Sequence, residues 1–403
     1  MKNHFLKLIA IFFVSIATFS CTNDDDDDSS NDLTSKEHKY LRVLVSDGTS
    51  TNLSLVNPYL QTTEFFTAKF AKSYLYTTES QRFAGIVHRE NNMFETFDSG
   101  YEFHGDHVDV RGTPKFGALT GVSLLPTHFK SSYGKLITFN DGDGTLSIGN
   151  EADIHVEGAT LQTINAGLTA HHGAMTAFSN GTYAVTEKDN SSTSTLPERV
   201  KIINANGITV HASTIATGGI HGNASDGTYA VFGSSSGVLV VQSNGQQNLI
   251  SLPSNFETAW FGTILETAFD GKFVGYTAAK GAYLIDVVAE TITPIIESTS
   301  IMQCKVSYNL NKLGVLLYSG DLKIFNLSNL SLEKDNNVIS PTATSAASKP
   351  LLLLSDRFAY ITSTSTSELF QINLSKMSVA QKLTITDNPF SMTFMGYENS
   401  TDH

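Results

Sequence analysis

At 403 residues, 40% of them apolar and 16% charged, the chain is long enough to bury a large core. A net charge of −13, from 39 acidic against 26 basic residues, argues against a nucleic-acid-binding surface and suits a domain that tolerates cations. Two cysteines exclude a thiolate-rich metal site and a disulfide framework.

The first stretch, "MKNHFLKLIAIFFVSIATFSC", sets basic residues before a short apolar run. That is the pattern of a secretory signal, too short to span a bilayer. Its ending, "TFSC", resembles the lipobox of bacterial lipoproteins, which implies cleavage after residue 20 and a lipid on Cys21. With Cys21 lipidated, Cys304 has no intrachain partner. Residues 21–38 follow, with Asp24 to Asp28 in a row. Mutual repulsion and a lack of apolar residues predict a flexible tether. Acidic runs after a lipidated cysteine resemble the surface-export signal of Bacteroidetes lipoproteins. The expected location is the cell envelope, lipid-anchored to the outer membrane and facing the periplasm or the cell surface.

From residue 39 onward the helical period is hard to find. What recurs is a β-rich run, a polar or glycine turn, and a second β-rich run, as in "GTYAVFGSSSGVLVVQSNG" and "GKFVGYTAAKGAYLIDVV". Eight such pairs begin at Lys39, Gln81, Gly134, Gly181, Gly227, Gly271, Asn311 and Asp356, spaced by 42, 53, 47, 46, 44, 40 and 45 residues. A period in the forties built of strands and turns is the signature of a β-propeller. The expectation is an all-β fold of four-stranded antiparallel blades in a single domain, residues 39–403. Eight pairs imply eight blades, or seven if the first pair completes the last blade. A two-sheet sandwich needs no such period.

Of twelve histidines, five fall in three glycine-flanked stretches: "YEFHGDHVDV", "GLTAHHGAMTAF" and "TGGIHGNASDGTYAVFG". His128 lies about six residues before the third pair, His172 about nine before the fourth, and His221 about six before the fifth. In a propeller that segment is the innermost strand or the loop entering it, so three successive blades would aim an imidazole at one axis. Imidazole suits zinc, copper or nickel, and three or four ligands can close a tetrahedral zinc site. His171 is a further candidate, although adjacent strand residues face opposite ways. Packing or capping of the channel is the structural alternative. "HGDH" is a separate candidate: His104 and His107 are three apart with Asp106 between them and Asp109 beyond, and Gly105 lets the chain curl. It falls in the longest interval, which suits a mobile loop over one channel mouth. "NDGDGTLSIGNE" lacks the spacing of a calcium loop and reads as a turn between paired strands. His88, His155 and His211 are taken as structural.

Taken in order, "QRFAGIVHRENNMFETFDSG", "HGDH", "PTHF", "NDGDGTLSI", "TAHHGAMTAF", "TLPERVKII" and "GGIHGNASDGTYAVFGSSSGVLVV" resemble the AztD-type periplasmic β-propeller zinc metallochaperones. The resemblance covers roughly residues 80 to 245. It implies Zn2+ as cargo and the solute-binding protein of a zinc ABC transporter as recipient. It implies that His104, Asp106 and His107 form a mobile capture segment, and that His128, His172 and His221 lie near the channel. The chain departs from the family at Val108, Asp109 and Val110, where further histidines often follow. Asn223 and Ser234 stand where the family has a glutamate and a cysteine, and the lipid anchor is unlike a freely diffusing chaperone.

The expected chemistry is binding and ligand exchange by a monomer, with no nucleic-acid partner and with the membrane reached through Cys21. A mobile loop beside a rigid channel site would ease transfer. Affinity should fall below pH ~6 as imidazoles protonate, and copper(II) should bind more tightly in vitro. The main alternative is a propeller lyase or hydrolase with channel histidines as general bases. A third is a surface interaction module.

Overall fold

The paired runs form the middle two strands of every blade, and burial explains why they stood out. Leu41–Asp47 and Phe83–His88 are buried at every position, whereas the outer strand Leu332–Asn337 is exposed throughout. Blades stack face to face, so a middle strand is covered on both sides and carries apolar residues at successive positions. In the computed structural model, which describes residues 35–191 and 193–401, the strands form eight antiparallel blades around one axis. The only helical elements among the described residues are three short 3-10 turns.

The ring closes between the two ends of the described chain. Pro389–Gly396 forms the innermost strand of blade 1, and Leu41–Asp47, Asn52–Asn57 and Thr62–Thr67 form the other three. The ladder pairs Leu41 with Gly396 and Val45 with Met392. The first sequence pair therefore joins the last strand of the chain, not the last pair, and the count is eight. Blades 3 to 8 are regular four-stranded sheets. Blade 2 departs: its outer position is split between Lys115–Phe116 and Gly121–Val122, and a hairpin, Tyr101–His104 and His107–Val110, is inserted before them.

Between blades lie apolar layers. Blades 3 and 4 enclose Ile137, Phe139, Leu146, Met175, Tyr183 and Val185, and blades 4 and 5 enclose Phe178, Val200, Ile202, Phe232 and Leu239. Each large side chain buried this way contributes about 1.5–3 kcal/mol. The layers fix the inner strands, which carry His128 and His221 and receive the loop that carries His172.

Residues 1–34, with the expected signal segment, Cys21 and most of the tether, lie outside the described residues. The tether was expected to reach residue 38, but the last part is packed. Glu37 is 2% exposed and accepts hydrogen bonds from Ser355 Oγ and Tyr360 OH, both at 2.6 Å. Arg357 donates to the Lys36 carbonyl at 3.0 Å. Hydroxyl donors for one carboxylate hold a segment that composition alone reads as unordered.

Candidate metal centre

Blades 3, 4 and 5 supply the three central histidines from equivalent places. His128 lies in the inner strand Pro126–Ser132, at a bulge between Thr127 and Lys130, and has a positive φ of 52°. His221 lies in Ile220–Ser225, at a bulge between Ile220 and Asn223. His172 enters Met175–Ala177 from the preceding loop. A bulge adds one unpaired residue and re-aims its side chain, which turns the imidazoles of His128 and His221 toward the axis. Gly222 makes the second bulge: its φ is +77°, and a Cβ there would lie 2.6 Å from the Gly262 carbonyl oxygen.

Ligand nitrogens of His128, His172 and His221 all lie within 4.8 Å of one another. His128 Nε2 and His172 Nε2 are 3.3 Å apart. Nitrogens about 2.0–2.1 Å from a tetrahedral zinc ion are separated by about 3.3 Å, so this pair already has the required spacing. Two of the rings are oriented from behind. His221 Nδ1 donates to the Gly262 carbonyl at 2.7 Å, and His172 Nδ1 donates to Asp141 Oδ2 at 2.7 Å. A carbonyl and an ionised carboxylate only accept, so each Nδ1 carries a proton and Nε2 is the nitrogen turned toward a metal.

Asp141 is the residue that sequence reasoning missed. It was read within a turn, and it does lie at the turn between the middle strands of blade 3. Burial acts to raise its carboxyl, but hydrogen bonds from His172, Arg89 and the Gly173 N–H outweigh that and hold it below the ordinary carboxylate range. Burial pushes His128 down to about 3, and the imidazoles of His172 and His221 act the same way. His128 thus stays neutral well below the pH ~6 expected for loss of a ligand.

His171 does not join the centre. Its Nδ1 meets the Thr169 carbonyl at 2.7 Å and its Nε2 meets Thr186 Oγ1 at 3.0 Å, so both ring nitrogens are committed to the fold. A Cβ on the next residue, Gly173, would lie 2.3 Å from the Phe139 ring. The ring of His171 packs on Phe139, on the other side of the chain from His172.

The second candidate is a built hairpin. His104 and His107 are cross-strand partners around the turn Gly105–Asp106, with Gly105 at φ +72°. Ligand atoms of His104, His107 and Asp109 lie within 4.8 Å of one another. Asp109, two residues after His107, shares its face; the Asp106 carboxylate is 97% exposed and sits 3.0 Å from His107 Nδ1 outside that group. The expected mobile loop is docked: Phe103 packs on Tyr397 at 5.5 Å, Arg82 pairs with Glu102 at 3.0 Å, and Val108 N–H donates to the Thr401 carbonyl at 3.2 Å.

Nor is the hairpin beside the central histidines. Inner strands begin at the mouth that carries His128, His172 and His221. The hairpin joins the third strand of blade 2 to its outer strand, at the opposite ends of the strands, and packs where Pro389–Gly396 finishes. Six or seven residues of strand separate the two mouths, about 20 Å.

Two solved structures of Citrobacter koseri AztD, one of them apo, match this architecture with TM-scores of 0.80 and 0.78. The fold is that of AztD. Sequence identity is 17% for both, over 90% and 89% of this chain and 99% of theirs. Dihydro-heme d1 dehydrogenase NirN in complex with DHE matches at a TM-score of 0.60 and 12% identity, over 87% of this chain and 74% of that one. No protein-family model matches the chain, and no curated protein matches it in sequence.

Within this AztD-type propeller the two departures noted in the sequence have structural roles. Asn223 donates to the Met175 carbonyl at 2.7 Å, and the buried Ser234 hydroxyl donates to the Gly237 carbonyl at 2.7 Å. The histidines read as structural include His88, fixed by Glu95 at 2.6 Å, and His155, 2.7 Å from Asp98.

Proposed function

We propose that the chain is a zinc-binding metallochaperone of the cell envelope, holding the ion at His128, His172 and His221. The observation that carries this reading is the shared aim of the three imidazoles, with Asp141 and the Gly262 carbonyl fixing the tautomers of two of them. Three imidazole ligands leave a fourth coordination position through which ligands can exchange one at a time. A cavity of about 420 Å³ opens beside His221, and Trp260 lines it. A donated or received ion would pass through that mouth, toward the solute-binding protein of a zinc ABC transporter. The hairpin cluster of His104, His107 and Asp109 would act as a separate, weaker site on the other face, and not as a loop that hands zinc to the first. Anchoring through a lipid on Cys21, on the outer membrane, rests on the sequence at residues 1–21.

Trp260 is the chain's single tryptophan, so its emission provides the test. Zinc titrated into metal-free protein should change Trp260 fluorescence saturably at one equivalent, and His172→Ala should abolish that phase. No change in emission and no heat of binding would remove the proposal. Zinc-loaded protein mixed with the metal-free recipient should then lose its ion to it.

The same geometry favours one second reading. A three-histidine metal with an open position beside a cavity is also the arrangement of a catalytic site. Turnover of a substrate panel, lost in His172→Ala, would favour the enzyme.

A further inference from the structure

Between the two histidine clusters the channel encloses a cavity of about 480 Å³, walled by the inner strands of blades 1, 2, 3, 6, 7 and 8. Three of its residues carry charge: Lys130, Glu266 and Lys305. Lys130 Nζ is 3.0 Å from Glu266 Oε1 and 3.4 Å from the Asn223 carbonyl, so that pair is neutral. Lys305, from the inner strand Ile301–Val306 of blade 7, has no carboxylate or hydrogen-bond acceptor on its ammonium among the described residues. It also faces an adjoining cavity of about 190 Å³ with Ser391 and no other charge. Lys305 is therefore the one basic side chain of this cavity without a counter-charge, in a protein of net charge −13.

Lys305 is exposed along the channel yet ringed by protein, which lowers its amine below the ordinary lysine range, and an anion of matching size beside it would favour the charged form. The wall supplies further donors. Ser391 Oγ accepts the Leu75 N–H at 3.0 Å, which leaves its own proton to donate. Thr77 and Thr393 hydroxyls meet at 2.8 Å along the same wall. A cation finds the opposite: one carboxylate, already paired, and two ammonium groups. We propose that the central channel binds a small oxyanion, with Lys305 as its counter-charge and the Ser391 hydroxyl as a further donor. Phosphate, sulfate and small carboxylates share this chemistry. The inference does not depend on the zinc reading. It has one consequence for that reading, since Lys305, when protonated, would oppose passage of a divalent ion from one histidine cluster to the other.

The test uses the full, metal-free protein at constant ionic strength, titrated with sodium phosphate, sulfate or citrate against chloride. Saturable rises in melting temperature are expected, and the response of the inorganic anions against that of citrate identifies the source. Lys305→Met removes the charge, keeps most of the stem, and should abolish the rise. A crystal soaked in selenate should give an anomalous peak within hydrogen-bonding distance of Lys305 Nζ. An undiminished rise in Lys305→Met means an adventitious ion only and overturns the proposal, as does the absence of any rise. If Lys305→Met does not fold, the selenate soak of the native protein decides: a peak at Lys305 supports the site, and an empty channel refutes it.

Discussion

His172 Nδ1 and Asp141 Oδ2 lie 2.7 Å apart across the boundary between two blades. The carboxylate is held ionised by Arg89 and by the Gly173 N–H, and it points the imidazole so that Nε2 faces His128. Loss of such an orienting partner typically costs 10–100-fold in metal affinity. Asp141→Asn should weaken zinc binding by about that factor, with far-ultraviolet dichroism unchanged, in a competition titration against a chromophoric chelator.

His171 should behave in the opposite way. Both of its ring nitrogens are bonded inside the fold. His171→Ala leaves buried partners without hydrogen bonds, a cost of about 1–3 kcal/mol for each unsatisfied group. Denaturant unfolding should show the loss, while the zinc affinity of the folded fraction stays within about twofold of native.

The two clusters sit at opposite ends of the blades, so they should titrate independently. Native protein should take up two zinc equivalents in calorimetry. His107→Ala should remove one phase and leave the Trp260-reported phase untouched. Asp106→Ala should alter neither by much, while Asp109→Ala should weaken the hairpin phase.

Stability should fall as pH rises through the neutral range. Burial raises the Glu37 carboxyl, and burial with the nearby charges of Glu37 and Asp356 raises Glu398 from 4.5 to about 8. A raised carboxyl binds its proton more tightly in the folded chain. Its stabilising contribution is complete below pH 4.5 and is lost as pH climbs through about 8. Melting temperature should drop by a few degrees between pH 6 and pH 9, and Glu398→Gln should flatten that slope. An equal slope in the variant would contradict the assignment.

How much of this was legible in the sequence follows from burial. Strands covered on both faces write continuous apolar runs, so all eight middle pairs could be read with their spacing. The offsets of His128, His172 and His221 from those pairs placed them on the inner strands or the loops entering them, which is where they lie. Asp141 was hidden because an Asp-Gly turn looks alike whether its carboxylate caps a turn or holds a histidine two strands away. The choice between His171 and His172 depends on the packing of Gly173 against Phe139, which no local pattern records. Asp109 displaces Asp106 because the segment is a paired hairpin, where residues two apart share a face. That the hairpin and the three histidines occupy opposite mouths follows only from strand direction, once the sheet order is known.

The most direct test of the central claim is a crystal of the zinc-loaded protein measured at the zinc absorption edge. A single anomalous peak about 2.0–2.1 Å from nitrogens of His128, His172 and His221 is the expected result. A fully loaded crystal with no density among those three rings would contradict it.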